Sequence, residues 1–358
     1  MEKLRFAVIG AGCGGQSMAV ALKNQGCLVH LMDREEQLVR DLAALPQLTL
    51  TGKLEMTGKP DLITASAAEA IRDTDVIMVV TTADGHEQVA REIAATIRPD
   101  QLVVLNPGMF CGSLAFKTAL KRYGCPYDIL VAETADLMYT CRKVETGVVF
   151  HSALKKKMAL AAVPSGMAEQ VVRKLKPYFP ALIPAEDILH TALSGISVAL
   201  HCVPMLMNAN RLDAGESFAY YMDGITPSVA RIAEAVDGER VALAKRLGID
   251  VLPAVQSLKN TYGLEGDTLY EVIQANQAYA GIRSPSSLSH RFCAEDTFGL
   301  LVGFSTLAKE LDVPAPTMDA VVLLISKATG IDYLQTGRTA EKIGLKGMSV
   351  EEIYQAIR

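Results

Sequence analysis

Three polar residues in the second half of the chain have the side chains that hydride reduction of a C=N or C=O bond requires. His201 lies in an otherwise apolar segment, 198–207, and Arg291 and Asp296 come just before an apolar segment that should begin a helix near Phe298. We expect His201 to be the general acid and base, Asp296 to orient it and stabilise its protonated form, and Arg291 to bind a carboxylate.

The same residues also have simpler interpretations. A lone histidine among apolar residues is typical of a hydrogen-bonded core histidine. The pair Glu295 and Asp296 would also suit the first turn of a helix, where the helix dipole stabilises acidic groups. The remaining histidines lack ligand spacing with cysteines or carboxylates, so we expect no metal site; they are His30, His86, His151, His190 and His290.

A glycine motif near the N-terminus predicts a nucleotide-binding turn. Gly10-Ala11-Gly12-Cys13-Gly14-Gly15 matches G-x-G-x-x-G and lies between the first predicted strand and the first predicted helix. Gly10 would permit the tight turn, Gly12 would let the backbone approach a pyrophosphate, and Gly15 would let helix and strand pack closely. Gly14 belongs to the same cofactor-binding loop. The alternative is a glycine-rich turn without a ligand.

Polar residues that follow the next strands extend this prediction. Asp33 ends the second predicted strand, where an acidic side chain accepts hydrogen bonds from the adenine ribose and favours NAD. The neighbouring Arg34 would suit the 2′-phosphate of NADP, or it is an ordinary exposed arginine. Thr81 and Thr82 follow a third strand, where this fold presents backbone to the cofactor; they are equally compatible with simple strand termination.

Two further candidates follow later strands. Asn106, in Asn106-Pro107-Gly108, should face the cofactor crevice at the carboxyl ends of the strands, although Pro-Gly is also a strong turn signal. Glu133 closes an apolar strand. We expect it to contact substrate, with helix capping or surface exposure as the alternative.

The elements that would position these residues change in type along the chain. The first half alternates strands and helices, which predicts a parallel sheet covered by helices. Strands are predicted at 4–9, 28–32, 75–80, 102–105 and 129–132, and helices at 17–25, 69–73 and 87–97, while 148–150 and 158–163 should extend the sheet. Helical periodicity dominates from about residue 187, for example over 229–247 and 298–311.

The predicted fold class is therefore an α/β Rossmann domain, doubly wound around a mostly parallel sheet, followed by an all-α C-terminal domain. The boundary should lie near 180–184, where two prolines flank a short apolar stretch. This assigns residues 1–185 to NAD(P) binding and residues 186–358 to substrate binding and catalysis.

Composition excludes several classes of protein. The 358 residues carry 35 Lys+Arg against 40 Asp+Glu, a net charge of −5, which argues against nucleic acid as a partner. The seven cysteines form no C-x-x-C pair, a pattern typical of a reduced, cytoplasmic protein. The apolar runs near 76–80 and 320–325 are too short to span a bilayer, so we expect no membrane association.

Over almost its whole length the sequence resembles the opine dehydrogenases, the group that includes octopine, nopaline and N-(1-carboxyethyl)-norvaline dehydrogenases. The resemblance depends on the order of many short motifs. They are the glycine motif, Thr82-Ala-Asp-Gly-His86, Asn106-Pro-Gly108, Glu133-Thr134 with Arg142, His201 followed by Pro204 and Asn208, Ser228-Val-Ala-Arg231, Asp237-Gly-Glu-Arg240, Tyr279-Ala-Gly-Ile282, Ser284-Pro-Ser-Ser-Leu288, Arg291-Phe-Cys-Ala-Glu-Asp296 with Phe298-Gly-Leu300, and Val313-Pro-Ala-Pro316.

This resemblance implies a Rossmann domain and a helical domain, like the C-terminal domain of 6-phosphogluconate dehydrogenase, that carries the amino-acid site. It implies that an L-amino acid condenses with a 2-oxo acid such as pyruvate, and that NADH or NADPH reduces the imine to a secondary amine dicarboxylate. On the family pattern His201, Arg291 and Asp296 are catalytic, Tyr279 lines the substrate pocket, and the protein is a homodimer.

Some positions depart from the family pattern, and two other functions remain open. Ser194-Gly-Ile-Ser197 lacks an expected asparagine, and Met109 and Phe110 are bulky for their loop, which leaves the choice of substrates open. One alternative is a ketopantoate-reductase-like or 3-hydroxy-acid dehydrogenase, but such enzymes usually use a lysine, and none lies near His201 in sequence. The other is a non-catalytic NAD(P)-binding sensor or partner protein.

Overall fold

The structure, a computed structural model, describes residues 3–358. The chain forms two compact units. Unit 1 contains the residues up to Thr191 together with Gln355–Arg358, and unit 2 is Ala192–Tyr354. The domain bounds 1–185 and 186–358 stay predictions.

Unit 1 is built on an eight-stranded sheet with the order β12-β11-β8-β7-β6-β1-β2-β5. All neighbouring strands are parallel except β8 and β11. The strands are β1 Arg5–Ile9, β2 Leu28–Met32, β5 Leu62–Thr64, β6 Val76–Val79, β7 Leu102–Leu105, β8 Val131–Thr134, β11 Met158–Val163 and β12 Leu182–Pro184. The α/β fold class predicted from the sequence is confirmed.

Among the described residues of unit 1, six helices lie within the unit and a seventh begins in it. They are α1 Cys13–Asn24, α2 Glu36–Ala44, α3 Ala67–Ala70, α4 His86–Ile93, α5 Gly112–Arg122, α6 Ala168–Leu175 and α7 Ile188–Leu193. Side chains of β1 alternate between two cores: Phe6 and Val8 pack into one, and Ala7 and Ile9 into the other. Apolar burial on both faces is expected of a mostly parallel sheet covered on both sides.

The second sheet of unit 1 corrects one sequence expectation. It has the order β4-β3-β10-β9, with β3 Leu48–Gly52, β4 Met56–Gly58, β9 Tyr139–Glu145 and β10 Val148–Leu154. The prediction that 148–150 extends the main sheet is therefore wrong. The segment is a strand, but it pairs with β3 and β9, because local β propensity does not determine which strands pair.

Unit 2 is helical, as the sequence predicted. Its helices are α8 Ser197–Leu200, α9 Cys202–Met207, α10 Ala209–Asp213, α11 Pro227–Arg246, α12 Ala254–Tyr262, α13 Leu269–Ala275, α14 Arg291–Asp296, α15 Val302–Glu310, α16 Pro316–Thr329, α17 Tyr333–Thr336, α18 Ala340–Ile343 and α19 Val350–Ile357, the last of which ends in unit 1. One π-helical turn, Thr297–Leu301, joins α14 to α15.

The expected start of a helix near Phe298 is wrong. The helix starts at Arg291, so Glu295 and Asp296 lie in the last turn of α14 and not in a first turn. The π turn follows directly, and its Phe298 carbonyl accepts a hydrogen bond from the backbone N–H of Arg338 (2.9 Å). The periodicity over 298–311 does not reveal this turn, because a single π turn changes the apolar pattern very little.

The segment 188–207, which includes the apolar run around His201, is longer than the runs near 76–80 and 320–325. Its length and mean hydropathy of 1.4 would suit a membrane span, but two-thirds of it is buried within the protein. It is also divided into the short helices α7, α8 and α9. Both observations are typical of a core segment.

A buried ion pair on α11 makes hydrogen bonds to other segments of unit 2. Arg240, fully buried, donates to Asp237 Oδ1 (2.9 Å) and to the carbonyl oxygens of Leu193 and Leu252. The second oxygen of Asp237 accepts from the N–H of Ala254 (2.6 Å). The motif Asp237-Gly-Glu-Arg240 thus joins three segments of the unit.

We expect Arg240→Met to lower the free energy of unfolding by about 3–5 kcal/mol, because it leaves the Asp237 carboxylate buried without its partner. Urea unfolding measures the change. The exposed Arg231→Met on the same helix is the control and should change it by less than about 0.5 kcal/mol. Adding Asp237→Asn to Arg240→Met should restore part of the loss; an Arg240→Met protein as stable as the wild type would contradict the assignment.

Candidate active site

Three glycines of the first βα turn have different surroundings. Gly10 has φ +105°, and a Cβ there would lie 2.6 Å from the Val80 carbonyl oxygen. A Cβ on Gly15 would lie 1.7 Å from the Gly10 carbonyl oxygen, whereas a Cβ on Gly12 would meet nothing within 4 Å. Gly10 and Gly15 are thus required by the packing of the turn, and Gly12 faces open space that a ligand can enter.

The N-terminus of α1 provides the features of an anion site. Gly12 is its N-cap, no side chain caps it, and its first turn contains no acidic residue. The N–H groups of the first turn and the positive end of the helix dipole favour a phosphate. Gly14 lies in this first turn, where a Cβ would contact Leu137 and Val80.

The Asp33 side chain accepts a hydrogen bond from the glycine loop. Its Oδ2 accepts from the N–H of Ala11 (2.7 Å) and its Oδ1 from the N–H of Glu35 (3.0 Å). The carboxylate therefore orients the loop and remains partly exposed, with lone pairs left for a ribose hydroxyl. Arg34 is exposed beside it and forms no ion pair with any described residue.

The residues after β6 and β7 lie at the same edge of the sheet as the glycine loop. Ile9 is in register with Val79, and Val79 with Leu105, so the turns after all three strands begin side by side. Thr81 reaches the glycine turn: its Cγ2 lies 3.1 Å from the position of a Gly10 Cβ. Its hydroxyl oxygen is buried and has no hydrogen-bond partner among residues 3–358, whereas Thr82 is exposed.

Asn106 and Glu133 make internal contacts. Asn106 is fully buried, donates to Thr134 Oγ1 (2.7 Å) and accepts from the N–H of Met138 (3.3 Å). Glu133 lies within β8 and is 1% exposed; its Oε2 accepts from the N–H (2.6 Å) and hydroxyl (2.7 Å) of Ser113 in the first turn of α5. This geometry favours the helix-capping interpretation of Glu133.

The structure brings His201 and Asp296 together in unit 2. His201 Nδ1 lies 2.7 Å from Asp296 Oδ2, and Asp296 is 8% exposed. His201 occupies the junction between α8 and α9, where its carbonyl oxygen accepts from the Tyr220 hydroxyl (3.1 Å). Because a carboxylate accepts hydrogen bonds, Nδ1 carries the hydrogen, and Nε2 of the neutral ring carries the lone pair that can accept a proton.

Two aromatic residues that the sequence did not single out complete the surroundings of His201. The Phe292 ring stacks on the imidazole at 4.0 Å with an interplanar angle of 7°. The Tyr221 hydroxyl lies 3.2 Å from Nε2. Phe292 could have been found from the sequence, because it directly follows the predicted site residue Arg291. Nothing in the sequence near Tyr221 indicated a place in the site.

Arg291 lies at the start of α14, exposed, with its guanidinium 5.8 Å from the centroid of the Phe292 ring. It forms no ion pair within the described residues. Its charge acts on its surroundings, because burial, then Arg291 and His201, lower the pKa of His290. An unpaired guanidinium beside a histidine and its carboxylate can bind a substrate carboxylate.

Tyr279 belongs to the same aromatic group. Its ring stacks on Tyr221 at 4.2 Å, and burial and a hydrogen bond with Tyr262 raise its pKa well above the ordinary value. Unit 2 therefore brings together all four residues that the sequence assigned to catalysis or substrate in this region: His201, Asp296, Arg291 and, through Tyr221, Tyr279.

The expectation that no other histidine has ligand spacing with carboxylates is wrong for His190. Ligand atoms of Glu186, Asp187 and His190 lie within 4.8 Å of one another. Asp187 Oδ1, however, accepts from the N–H groups of Leu189 and His190 (both 2.9 Å) and lies 3.1 Å from His190 Nδ1. These hydrogen bonds account for the cluster, because Asp187 accepts from backbone N–H groups at the start of α7.

Comparison with known proteins identifies relatives of both parts of the chain. Residues 5–116 match the family model of the N-terminus of NAD-dependent glycerol-3-phosphate dehydrogenase, and residues 184–329 match the α-helical domain of NAD/NADP octopine/nopaline dehydrogenase. The chain is 36% identical to an opine dehydrogenase of Arthrobacter sp. (strain 1C), over 100% of this chain and 99% of that protein.

Solved structures show the same fold. Octopine dehydrogenase with NADH and L-arginine superposes with a TM-score of 0.81 at 19% identity, covering 98% of each chain. Yersinopine dehydrogenase with NADP+ superposes with a TM-score of 0.77 at 18% identity, covering 99% of this chain and 98% of that one.

The glycine geometry predicts opposite effects for two Gly→Ala variants. Gly15→Ala should destabilise unit 1 by about 1–3 kcal/mol or more, because its Cβ overlaps the Gly10 carbonyl. Gly12→Ala should keep the melting temperature and weaken NADH binding at least about tenfold. Calorimetric titration and thermal unfolding measure both, with Gly238→Ala in α11 as the control. Unchanged NADH affinity in a folded Gly12→Ala protein would contradict the cofactor assignment.

Proposed function

Because this chain belongs to the opine dehydrogenase family, we propose that it joins an L-amino acid to a 2-oxo acid such as pyruvate. The two condense to an imine, and NADH or NADPH reduces the imine reversibly to a secondary amine dicarboxylate. The observation that carries this proposal is the 36% identity to an opine dehydrogenase along the whole chain. The His201–Asp296 pair beside the unpaired Arg291 supports it independently.

Residues of unit 1 would hold the nucleotide, whose reduced nicotinamide supplies the hydride when bound. The N-terminus of α1 and the open Gly12 would receive the pyrophosphate, with Gly10, Gly14 and Gly15 shaping the loop. Asp33 would accept from the ribose. The buried Thr81 hydroxyl, unpartnered within residues 3–358, fits a polar ligand group at this edge, and Asn106 supports the edge by its hydrogen bonds to Thr134 and Met138.

His201 would transfer the protons of the reaction. Asp296 accepts the Nδ1 hydrogen, which fixes the ring and leaves Nε2 to exchange protons with substrate. The Phe292 ring, stacked on the imidazole, supports this orientation of the ring. When His201 is protonated, the adjacent carboxylate stabilises its positive charge.

Arg291 would bind a carboxylate of the substrate. Both substrates carry a carboxylate, so an unpaired guanidinium near His201 provides charge and two parallel hydrogen bonds for orientation. Tyr279 would line the amino-acid site from within its aromatic group. Both carboxylate oxygens of Glu133 accept hydrogen bonds from within the protein, Oε2 from Ser113 and Oε1 from Thr191, so we assign Glu133 the support of α5.

Two alternatives make different predictions. A ketopantoate-type or 3-hydroxy-acid dehydrogenase usually relies on a lysine, whereas within residues 3–358 the His201 ring is hydrogen-bonded to Asp296 and Tyr221 and stacked on Phe292. Such an enzyme would turn over with the oxo acid alone. A non-catalytic NAD(P)-binding protein would bind the cofactor and show no turnover that depends on His201.

We propose a cytoplasmic protein that binds neither membranes nor nucleic acid and uses no metal. The seven free cysteines support a reducing compartment. Asp33 favours NADH, whereas the exposed Arg34 offers a contact for the 2′-phosphate of NADPH.

We predict that the reduced cofactor is oxidised only when an amino acid and a 2-oxo acid are supplied together. A matrix of amino acids against 2-oxo acids, run with NADH and NADPH in parallel, tests this by absorbance of the reduced cofactor. NADH should give the higher kcat/KM, and Arg34→Ala should reduce activity with NADPH more than with NADH. Full turnover with an oxo acid alone would refute the proposal.

His201→Asn should lower kcat by at least about 10²-fold, because the general acid and base is lost, while the Kd for NADH stays unchanged. Asp296→Asn should act in the same direction. His190→Asn is the matched control and should retain activity. If His201→Asn kept wild-type turnover, the role assigned to the pair would be wrong.

We also propose that the protein is a homodimer paired through the exposed face of α16. Four large apolar residues on α16 and the segment after it are about half exposed: Leu323, Leu324, Ile331 and Leu334. On the same helix Asp319 lies towards the N-terminal end and Lys327 towards the C-terminal end, both exposed. An antiparallel copy would therefore place Lys327 near the partner subunit's Asp319, which favours a second copy as the occupant.

Light scattering should give a mass of about twice 38.4 kDa for the wild type. Leu323→Asp with Leu324→Asp should give a folded monomer, because two charges would be buried in the interface. The control Leu252→Asp, at another exposed apolar position of unit 2, should remain dimeric. A double variant that stays dimeric would exclude this surface.

A further inference from the structure

Tyr221 is placed to act on the same atom as His201. Its hydroxyl lies 3.2 Å from His201 Nε2, and its side chain is buried at 5% exposure. Because Nδ1 donates to Asp296, Nε2 of the neutral imidazole has no hydrogen, and the tyrosine hydroxyl is the donor. Two hydrogen-bonding groups therefore converge where a substrate atom must exchange its proton with His201.

The Tyr221 hydroxyl keeps its hydrogen under working conditions. Burial, together with the negative charge of Asp296, raises the pKa of this phenol well above its ordinary value. Tyr221 therefore differs in role from His201: the imidazole gains and loses a proton, whereas the phenol stays a neutral donor.

The position of the hydroxyl is fixed by the aromatic rings around it. Tyr221 stacks on Tyr279 at 4.2 Å and meets the edge of Tyr220 at 4.8 Å. The Tyr220 hydroxyl in turn donates to the carbonyl oxygens of Leu200 and His201. The tyrosine pair and His201 are thus held in one arrangement, which is what a preorganised donor site requires.

We propose that the Tyr221 hydroxyl and His201 Nε2 form a two-donor site for the carbonyl oxygen of the 2-oxo acid. This proposal rests on the proposed function and assigns the condensation step to a site in unit 2. Substrate oxygen would replace His201 as the acceptor of the tyrosine hydrogen bond.

The condensation can be written with its protons balanced. Attack of the neutral amine on the carbonyl carbon forms the C–N bond and moves the C=O π electron pair to oxygen, which takes the Nε2 proton of protonated His201. The neutral imidazole then removes the extra proton from nitrogen. Protonated His201 then returns that proton to the hydroxyl group. The C–O bond breaks and water leaves, while the nitrogen lone pair forms the C=N bond of the iminium, which hydride reduces. Tyr221 donates to the oxygen throughout and transfers no proton.

Condensation and hydride transfer both involve His201, but only condensation and its reverse involve the substrate oxygen. Oxygen is present during condensation and during hydrolysis of the iminium, but it is absent when hydride leaves the finished opine. Loss of the Tyr221 hydroxyl should therefore slow the steps that involve oxygen and spare hydride transfer. A residue that only positions His201 would affect both.

The test uses Tyr221→Phe in the reverse direction, with NAD+ and the opine made by the most active substrate pair of the matrix. We expect the single-turnover burst of NADH to keep its rate within about threefold, while steady-state turnover falls by about 10²-fold. Tyr354→Phe, which loses a hydroxyl bonded to the Leu247 carbonyl elsewhere in unit 2, should change neither.

Equal loss of burst and steady state would overturn the proposal and make Tyr221 a positioning residue for His201. Unchanged kinetics would overturn it as well. Failure of the proposed function itself is distinguishable, because the wild-type enzyme would then show no turnover that requires both substrates.

Discussion

The hydrogen bond between His201 Nδ1 and Asp296 Oδ2, 2.7 Å long, is the interaction on which the chemistry proposed for unit 2 depends. It decides which imidazole nitrogen carries a hydrogen and which would exchange protons with substrate in the proposed reaction. The backbone is arranged around it: α8 and α9 break at His201, and the π turn follows directly after Asp296. π turns are frequent at functional sites, because they alter the direction of side chains within a continuous helix.

Unit 1 positions its candidate residues by a different constraint. Parallel strands in register end at one edge of the sheet, so turns far apart in sequence lie side by side. At that edge the glycine turn leaves space at Gly12, and Asp33 holds the loop through the Ala11 N–H. The anionic parts of a nucleotide would be met there by backbone N–H groups, which is compatible with a net charge of −5.

Much of this arrangement was predictable, for physical reasons. The glycine motif and the β-branched runs report backbone conformation and burial directly, so β1, α1, β2, β6 and β7 were found at about the correct places. His201 and Asp296 were paired because reduction chemistry requires both groups, and the structure joins them across 95 residues. The pairing of β10 with β3, in contrast, is a long-range choice that no local pattern encodes. Tyr221 was missed for the same reason, since its role depends on a neighbour from another segment.

The protonation pattern of His201 is the most direct test of this account. Two-dimensional NMR of the labelled imidazole nitrogens, with the His201 signals identified by their loss in His201→Gln, reports which nitrogen carries the hydrogen. Neutral His201 should be protonated at Nδ1 and unprotonated at Nε2, and Asp296→Asn should disturb this pattern. A neutral His201 with its hydrogen on Nε2 would contradict the account, because the nitrogen facing Tyr221 would then have no lone pair to accept a proton.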